Sequence, residues 1–201
     1  MFTALQALLN SLAVTFDLPI LDWIQAHLQC TFLDVTMPIV TLFGDGGVFW
    51  IAVAVVLLLF AKYRKTGFSM GMALVLGLLV CNILLKPQVA RIRPYNFQLQ
   101  EYGREITLLV KGLNDYSFPS GHTIASFEAC TVLMLHDKRL GIPATVLAIL
   151  IAFSRLYLYV HYPTDVLVSL VLGILFGFLG NYIVNQIYKK KVYNGKYSLK
   201  E

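Results

Sequence analysis

Apolar residues gather in five long runs separated by short polar breaks. They are Gly47–Tyr63 ("GVFWIAVAVVLLLFAKY"), Gly67–Lys86, Gly121–Leu135, Gly141–Tyr157 and Pro163–Tyr188. None alternates apolar and polar residues as a half-buried strand would. Each approaches the length a helix needs to cross a hydrocarbon layer of about 30 Å, where every backbone polar group must be satisfied within its own segment. The pattern predicts an all-α membrane protein, a bundle of five to six transmembrane helices with an N-terminal interfacial amphipathic helix. One membrane-embedded domain is expected over 1–201: N-terminal helices in 1–46, the five-span bundle in 47–188 and a basic tail in 189–201.

The first 46 residues are more polar. Leu18, Leu21, Trp23, Ile24, Leu28 and Phe32 can share one face, while Asp22, Gln25, His27, Gln29 and Asp34 interrupt the run, which suits a helix lying in the membrane surface. Thr36 to Phe43 is the alternative, an imperfect sixth span. "FGDGG" at 43–47 reads as a breaker. The N-terminus lacks the basic start of a cleaved signal peptide.

Composition agrees. The chain is 58% hydrophobic and 13% charged, with a mean hydropathy of +0.70, against about 25% charged in soluble domains. Cys30, Cys81 and Cys130 have no ligand spacing and read as small core residues. Net charge is +5, but the cations sit in separate loops, which excludes a nucleic-acid surface. Lys62, Arg64 and Lys65, then Lys138 and Arg139, then Lys189, Lys190, Lys191, Lys196 and Lys200 all fall on one side if the spans alternate. Cytoplasmic loops are enriched in such residues, so this reading places the C-terminus in the cytoplasm of a multi-pass cell-membrane protein. The remaining cations, Lys86, Arg91, Arg93, Arg104, Lys111 and Arg155, fall on the outer face, where topology disfavours them.

Three segments meet at that face: "KPQVARIRPY" (86–95), "PSGH" (119–122) and "SRLYLYVHYPTD" (154–165). Ionisable groups beside lipid mark function by default. Lys86, Arg93 and Arg155 suit a dianion, since guanidinium forks match phosphate geometry. Ser120 is a preferred N-cap, and the backbone N–H groups of Gly121 and His122 would then point at the same anion. Pro163 favours a helix start, with Asp165 in its first turn. From there Asp165 can fix the tautomer of His161, leaving the other ring nitrogen to attack phosphorus while His122 protonates the departing oxygen.

Written as KxxxxxxRP, PSGH and SRxxxxxHxxxD, the three segments resemble the signatures of the type-2 phosphatidic acid phosphatase superfamily, with every fixed position filled from Lys86 to Asp165. The resemblance implies that His161 is the nucleophile and forms a phosphohistidine, that Asp165 orients it, and that His122 protonates the leaving group. It implies phosphate binding by Lys86, Arg93, Ser120 and Arg155, joined by Gly121 through its backbone, and neither metal nor other cofactor. The implied substrate is a membrane lipid phosphate handled on the outer face. Compact bacterial members point to undecaprenyl diphosphate, with phosphatidylglycerophosphate and phosphatidic acid as alternatives. A lipid phosphotransferase and a non-catalytic lipid-phosphate binder or transporter are rival readings, although no internal repeat supports a transporter. The sequence leaves the oligomeric state open.

Other polar residues carry blander expectations. Glu128 is either functional or bonded to another helix. Arg91 and Arg104 either contact substrate, bind lipid head groups or are solvated. His27 and His136 read as surface residues. Trp23, Trp50, Tyr157, Tyr159 and Tyr162 read as an interfacial aromatic belt. Pro87 is expected to end the second span early.

Overall fold

The structure is a computed structural model that describes residues 2–193; positions 194–201, with Lys196 and Lys200 of the basic tail, lie outside the described residues. Every regular element among the described residues is helical. Helices α1 (Phe2–Leu12) and α2 (Leu18–Leu28) are joined by a π-helical turn at Ala13–Asp17. A short α3 (Thr31–Leu42) follows, and after a turn with Gly46 and Gly47 at φ 55° and 67°, α4 (Val48–Leu59) begins. Helix α5 (Arg64–Gly77) runs through π-helical residues Leu78–Leu85 into α6 (Lys86–Val89). Then come α7 (Pro94–Tyr102), α8 (Gly121–His136), α9 (Lys138–Tyr157) and α10 (Pro163–Tyr193).

The five predicted runs correspond to α4, α5 with its extension, α8, α9 and α10. Sixteen residues of α8 rise only about 24 Å. It sits at the centre, packed against α4, α5, α9 and α10. By length and composition the described helices able to cross a membrane are instead Gln6–Leu28, Thr31–Leu59, Ala61–Tyr102, Lys138–Tyr157 and Pro163–Lys190. The first of these makes its contacts at one end of the bundle. Leu9 meets Val89 and Phe118, Leu21 meets Tyr159 and Tyr162, and Ile24 meets Leu158 and Val160. It therefore packs across the bundle end, and Trp23 and Phe32 of the expected apolar face are exposed. Helix α3, at 12 residues, leans on α9 and forms the first part of the Thr31–Leu59 run.

Close helix approach depends on missing side chains. A Cβ on Gly180 of α10 would lie 2.7 Å from the backbone nitrogen of Ala73, and one on Gly177 would lie 2.7 Å from Thr131 Cβ. Small residues let backbones approach where lipid supplies no hydrophobic drive between helices.

The two bundle ends differ in chemistry. At one, Tyr63 donates to Asp137 Oδ2 at 3.2 Å, and Lys65 Nζ lies 5.8 Å from the Tyr188 ring centroid. These contacts bring the α4–α5 turn, the α8–α9 turn and the end of α10 together, gathering Lys62, Arg64, Lys65, Lys138 and Arg139. At the other end the three signature segments converge.

Several expectations need correction. Tyr157, Tyr159 and Tyr162 are buried beneath the N-terminal helix. Trp50 is buried too, its Nε1 donating to Ser126 Oγ at 3.0 Å; of the five aromatic residues only Trp23 is exposed. Cys30 is exposed, unlike Cys81 and Cys130. His136 bonds Asn181 Oδ1 at 2.8 Å. Pro87 does not stop its helix at Lys86, because it occupies the first turn of α6, where no N–H is needed. The helix stops at Ala90, which adopts φ 49°. Replacing Gly180 with Val should lower stability by about 1–3 kcal/mol through overpacking, read as a lower unfolding temperature in detergent, whereas Gly71→Ala, with nothing within 4 Å of the added carbon, should leave it unchanged.

Candidate active site

The segment after α6 is extended, so Arg91 and Arg93 fall on one side and Ile92 on the other. Both arginines are buried, whereas Ile92 is 42% exposed. They serve different groups. Arg93 NH1 donates to Val160 O at 2.7 Å and lies 3.3 Å from His161 Nε2. Arg91 NH1 bonds Asp165 Oδ1 at 2.5 Å, and its NH2 bonds Asp17 Oδ2 at 2.7 Å. Its guanidinium carbon also lies 3.7 Å from the Tyr162 ring centroid.

His161 lies in the short turn between α9 and α10. Tyr159 enters the left-handed region at φ 59°, which costs a non-glycine residue roughly 1 kcal/mol or more. Its hydroxyl donates to Asp22 Oδ1 and accepts from Gln98 Nε2, both at 2.9 Å, holding the turn. Helix α10 starts at Pro163 with Asp165 in its first turn, as the sequence predicts. Asp165 Oδ2 accepts from Tyr162 N at 3.1 Å and lies 3.6 Å from His161 Nδ1. That distance is an electrostatic contact rather than a hydrogen bond. Because Arg93 is donor-only, the Nε2 it faces carries the lone pair, and the His161 proton sits on Nδ1 toward Asp165. Burial, reinforced by the charges of Arg93 and Arg155, holds the His161 imidazole well below its usual pKa. It is neutral at pH 7 and available as a nucleophile.

The remaining site residues close around this ring. Lys86, Arg93, Gly121, His122, Arg155 and His161 line one cavity of about 750 Å³. Arg155 NH1 donates to Thr41 Oγ1 at 2.5 Å, while its Nε is without a hydrogen-bond partner. Ser120 is at the N-cap position of α8, but its side chain makes no cap hydrogen bond. Its hydroxyl instead accepts from Thr123 Oγ1 at 3.0 Å, and its backbone N–H donates to Ser169 Oγ at 2.8 Å. His122 Nε2 donates to Asp45 Oδ1 at 2.6 Å. Its ring lies against Gly44, where a Cβ would come within 2.6 Å of His122 Cδ2. The cavity continues past this polar rim along α4 and α5, beside Ile51, Val55, Phe68, Leu74, Val75 and Leu78.

All eight sequence-derived site residues thus gather at one end, seven of them on the cavity or in direct contact with its lining, and Ser120 one residue from it. Sequence reading missed three others. Asp45 hid in a stretch read as a breaker, although simple alternation of spans puts that turn beside "PSGH". Asp17 hid in an apolar helix, where a lone carboxylate was itself the signal. Asp115 bonds Lys86 Nζ at 2.7 Å and Arg93 NH2 at 2.5 Å. Burial raises its pKa, but the hydrogen bonds and charges of Lys86 and Arg93 outweigh that and hold it at about 2. Arg91 is neither solvated nor on the cavity. Arg104 is half-exposed and pairs with Asp22 at 3.0 Å. Glu128 is buried on the cavity wall, but its Oε1 makes no hydrogen bond to another helix. Among the described residues no group of three or more His, Cys, Asp or Glu is arranged to hold a metal. Replacing Arg91 with Met should strand two buried carboxylates and cost on the order of 3–5 kcal/mol, seen as a large drop in unfolding temperature.

The PAP2 superfamily profile matches residues 66–189. An undecaprenyl-diphosphatase of Sulfolobus acidocaldarius is 36% identical over 131 residues, 65% of this chain and 61% of that protein. Phosphatidylglycerophosphatase B of Bacillus subtilis is 34% identical over 155 residues, 71% of this chain and 64% of its own length. The chain therefore spans about three fifths of the curated relatives it matches. Among solved structures, LpxE of Aquifex aeolicus superimposes with a TM-score of 0.71 at 27% identity, covering 83% of this chain and 94% of that one. A transmembrane PAP2-type phosphatidylglycerolphosphate phosphatase from Bacillus subtilis gives 0.70 at 26%, covering 100% and 95%. The profile match takes in the three signature segments almost from end to end, and the same helical frame recurs in a solved PAP2 protein: this chain belongs to the PAP2 superfamily.

Proposed function

We propose that this protein is an integral membrane lipid phosphatase that works through a phosphohistidine on His161, with undecaprenyl diphosphate as its substrate. One observation carries the reading. A neutral His161 faces a cavity whose rim holds Lys86, Arg93 and Arg155 and whose wall along α4 and α5 is apolar. A lipid phosphate has the matching division, with its anion at the rim and its chain along the wall.

His161 Nε2 attacks the terminal phosphorus and the bond to the bridging oxygen breaks, so that undecaprenyl phosphate is the leaving group. His122 delivers a proton to that oxygen, and Asp45 holds the proton-bearing Nε2 of His122 in place beforehand. Asp165 faces His161 Nδ1–H and balances the positive charge that grows on the ring. Lys86 and Arg155, with Arg93 and the backbone at Gly121, stabilise charge on the equatorial oxygens, usually the largest contribution in phosphoryl transfer. Water then attacks the phosphohistidine, its proton passes to the His122 ring that gave one up, the P–N bond breaks, and inorganic phosphate leaves with both imidazoles restored.

The division of basic residues between the two ends supports an outer-face site and a cytoplasmic C-terminus, since cations collect in cytoplasmic loops. The diphosphatase relative supports the carrier-lipid substrate, and the phosphatidylglycerophosphatase relative supports a glycerolipid alternative.

Purified protein in detergent with EDTA should release phosphate from undecaprenyl diphosphate faster than from phosphatidylglycerophosphate or phosphatidic acid. His161→Ala should abolish release. His122→Ala should slow it by about 10²–10⁴-fold, the usual contribution of a positioned acid, and should accumulate labelled phosphoprotein only from substrates with good leaving groups. Preference for phosphatidylglycerophosphate would change the substrate and keep the mechanism. Full turnover by His161→Ala would sink the mechanism.

A further inference from the structure

Arg93 has no donor to spare. Its Nε–H goes to Asp115 O at 2.9 Å, its NH1 to Val160 O and His161 Nε2, and its NH2 to Asp115 Oδ1 at 2.5 Å and Tyr116 O at 3.3 Å. These five contacts use all five N–H groups of a guanidinium. Lys86 Nζ is likewise held by the other oxygen of the same carboxylate, at 2.7 Å. Two of the three cations on the cavity rim are thus bridged by one acidic side chain, whose two oxygens take positions suited to two oxygens of a phosphate. A phosphate cannot engage Arg93 side-on without displacing Asp115.

The surroundings allow that displacement. Asp115 belongs to the segment between α7 and α8, which has no regular structure, and its side chain is 51% exposed. It has room to turn to solvent once a phosphate replaces it on Lys86 and Arg93, whereas Arg93 and Arg155 are fixed by Val160 and Thr41. Once displaced, the carboxylate stays close to a multiply charged phosphate, and like charges repel.

We propose that Asp115 is an internal anion that competes with phosphate for Lys86 and Arg93, weakening the hold of the site on phosphoanions and helping inorganic phosphate to leave. This rests on the phosphatase reading above. The carboxylate keeps the cations paired between turnovers, yields to the incoming lipid phosphate, and re-forms its two ion pairs as the product departs. No bond is made or broken in this exchange. An alternative role, in which Asp115 merely aligns Lys86 and Arg93 for substrate, has the opposite consequence: removing it would weaken phosphate binding.

Asp115→Asn separates the two, because it keeps the size and removes the charge. Inhibition of lipid hydrolysis by orthophosphate and by orthovanadate should become about three- to tenfold tighter, the range for losing a charged hydrogen-bonding competitor at a half-exposed position. KM for the lipid should fall with it, and kcat should not rise. Orthophosphate should also raise the unfolding temperature of the variant more than that of the wild type, a binding readout that needs no turnover. Asp115→Ser, which removes the carboxylate in a smaller side chain, should shift inhibition in the same direction. Unchanged or weaker inhibition in both variants, with a wild type that turns over and is inhibited by orthophosphate, overturns the role of Asp115 alone. A wild type that neither hydrolyses lipid phosphates nor binds orthophosphate overturns the phosphatase reading beneath it.

Discussion

Arg91 is almost completely enclosed, and the two carboxylates it joins, Asp17 and Asp165, are both fully buried. An ion cluster in such surroundings gives little net stability, because desolvation offsets the attraction, but losing one member leaves the others uncompensated. Three pieces of chain distant in sequence are therefore bound to be present together: the N-terminal helix, the extended segment after α6, and the first turn of α10. Thr164 adds to the tie by donating its N–H to Asp17 Oδ1 at 2.8 Å and its hydroxyl to Asp17 Oδ2 at 2.7 Å. Asp165 cannot drift from His161 without breaking this cluster. The position of the proposed nucleophile thus depends on a residue that never meets the cavity.

The two arginines of one short segment divide the work by their neighbours. Arg91 is surrounded by carboxylates and an aromatic face, so it serves as scaffold. Arg93 is surrounded by backbone carbonyls, a neutral imidazole and a single half-exposed carboxylate, and only that carboxylate stands between it and an incoming anion. Spacing two residues apart in an extended chain puts both on one side. The left-handed Ala90 ends the preceding helix and makes that extension possible.

The cavity joins two environments that are normally kept apart. Its rim has the density of charge of a soluble phosphate site, and its wall has the side chains of a lipid-facing helix pair. The central helix α8 makes this possible by being short: it starts at Gly121, next to Ser120, whose N–H meets Ser169 past the first turn of α10, and the N-terminal helix covers the turns that carry Tyr157, Tyr159 and Tyr162.

Local pattern was enough for much of this. Apolar run lengths determine a helical membrane fold, because lipid leaves backbone groups no other partner. Turn residues such as Pro163 and Gly121 fix helix starts, and motif spacing singles out His122, His161, Asp165, Lys86, Arg93 and Arg155, since their chemistry is out of place beside lipid. Tertiary structure decided what stands behind them. Asp17, Asp45 and Asp115 lie far from their partners in sequence or in stretches that read as helix, breaker and loop. Nothing local states that a carboxylate will pair with a cation 74 residues away, as Asp17 does with Arg91. The same holds for Trp50 and the three tyrosines. An aromatic residue at the end of an apolar run suits either a membrane surface or a covered turn, and only the helix that packs over it chooses between them.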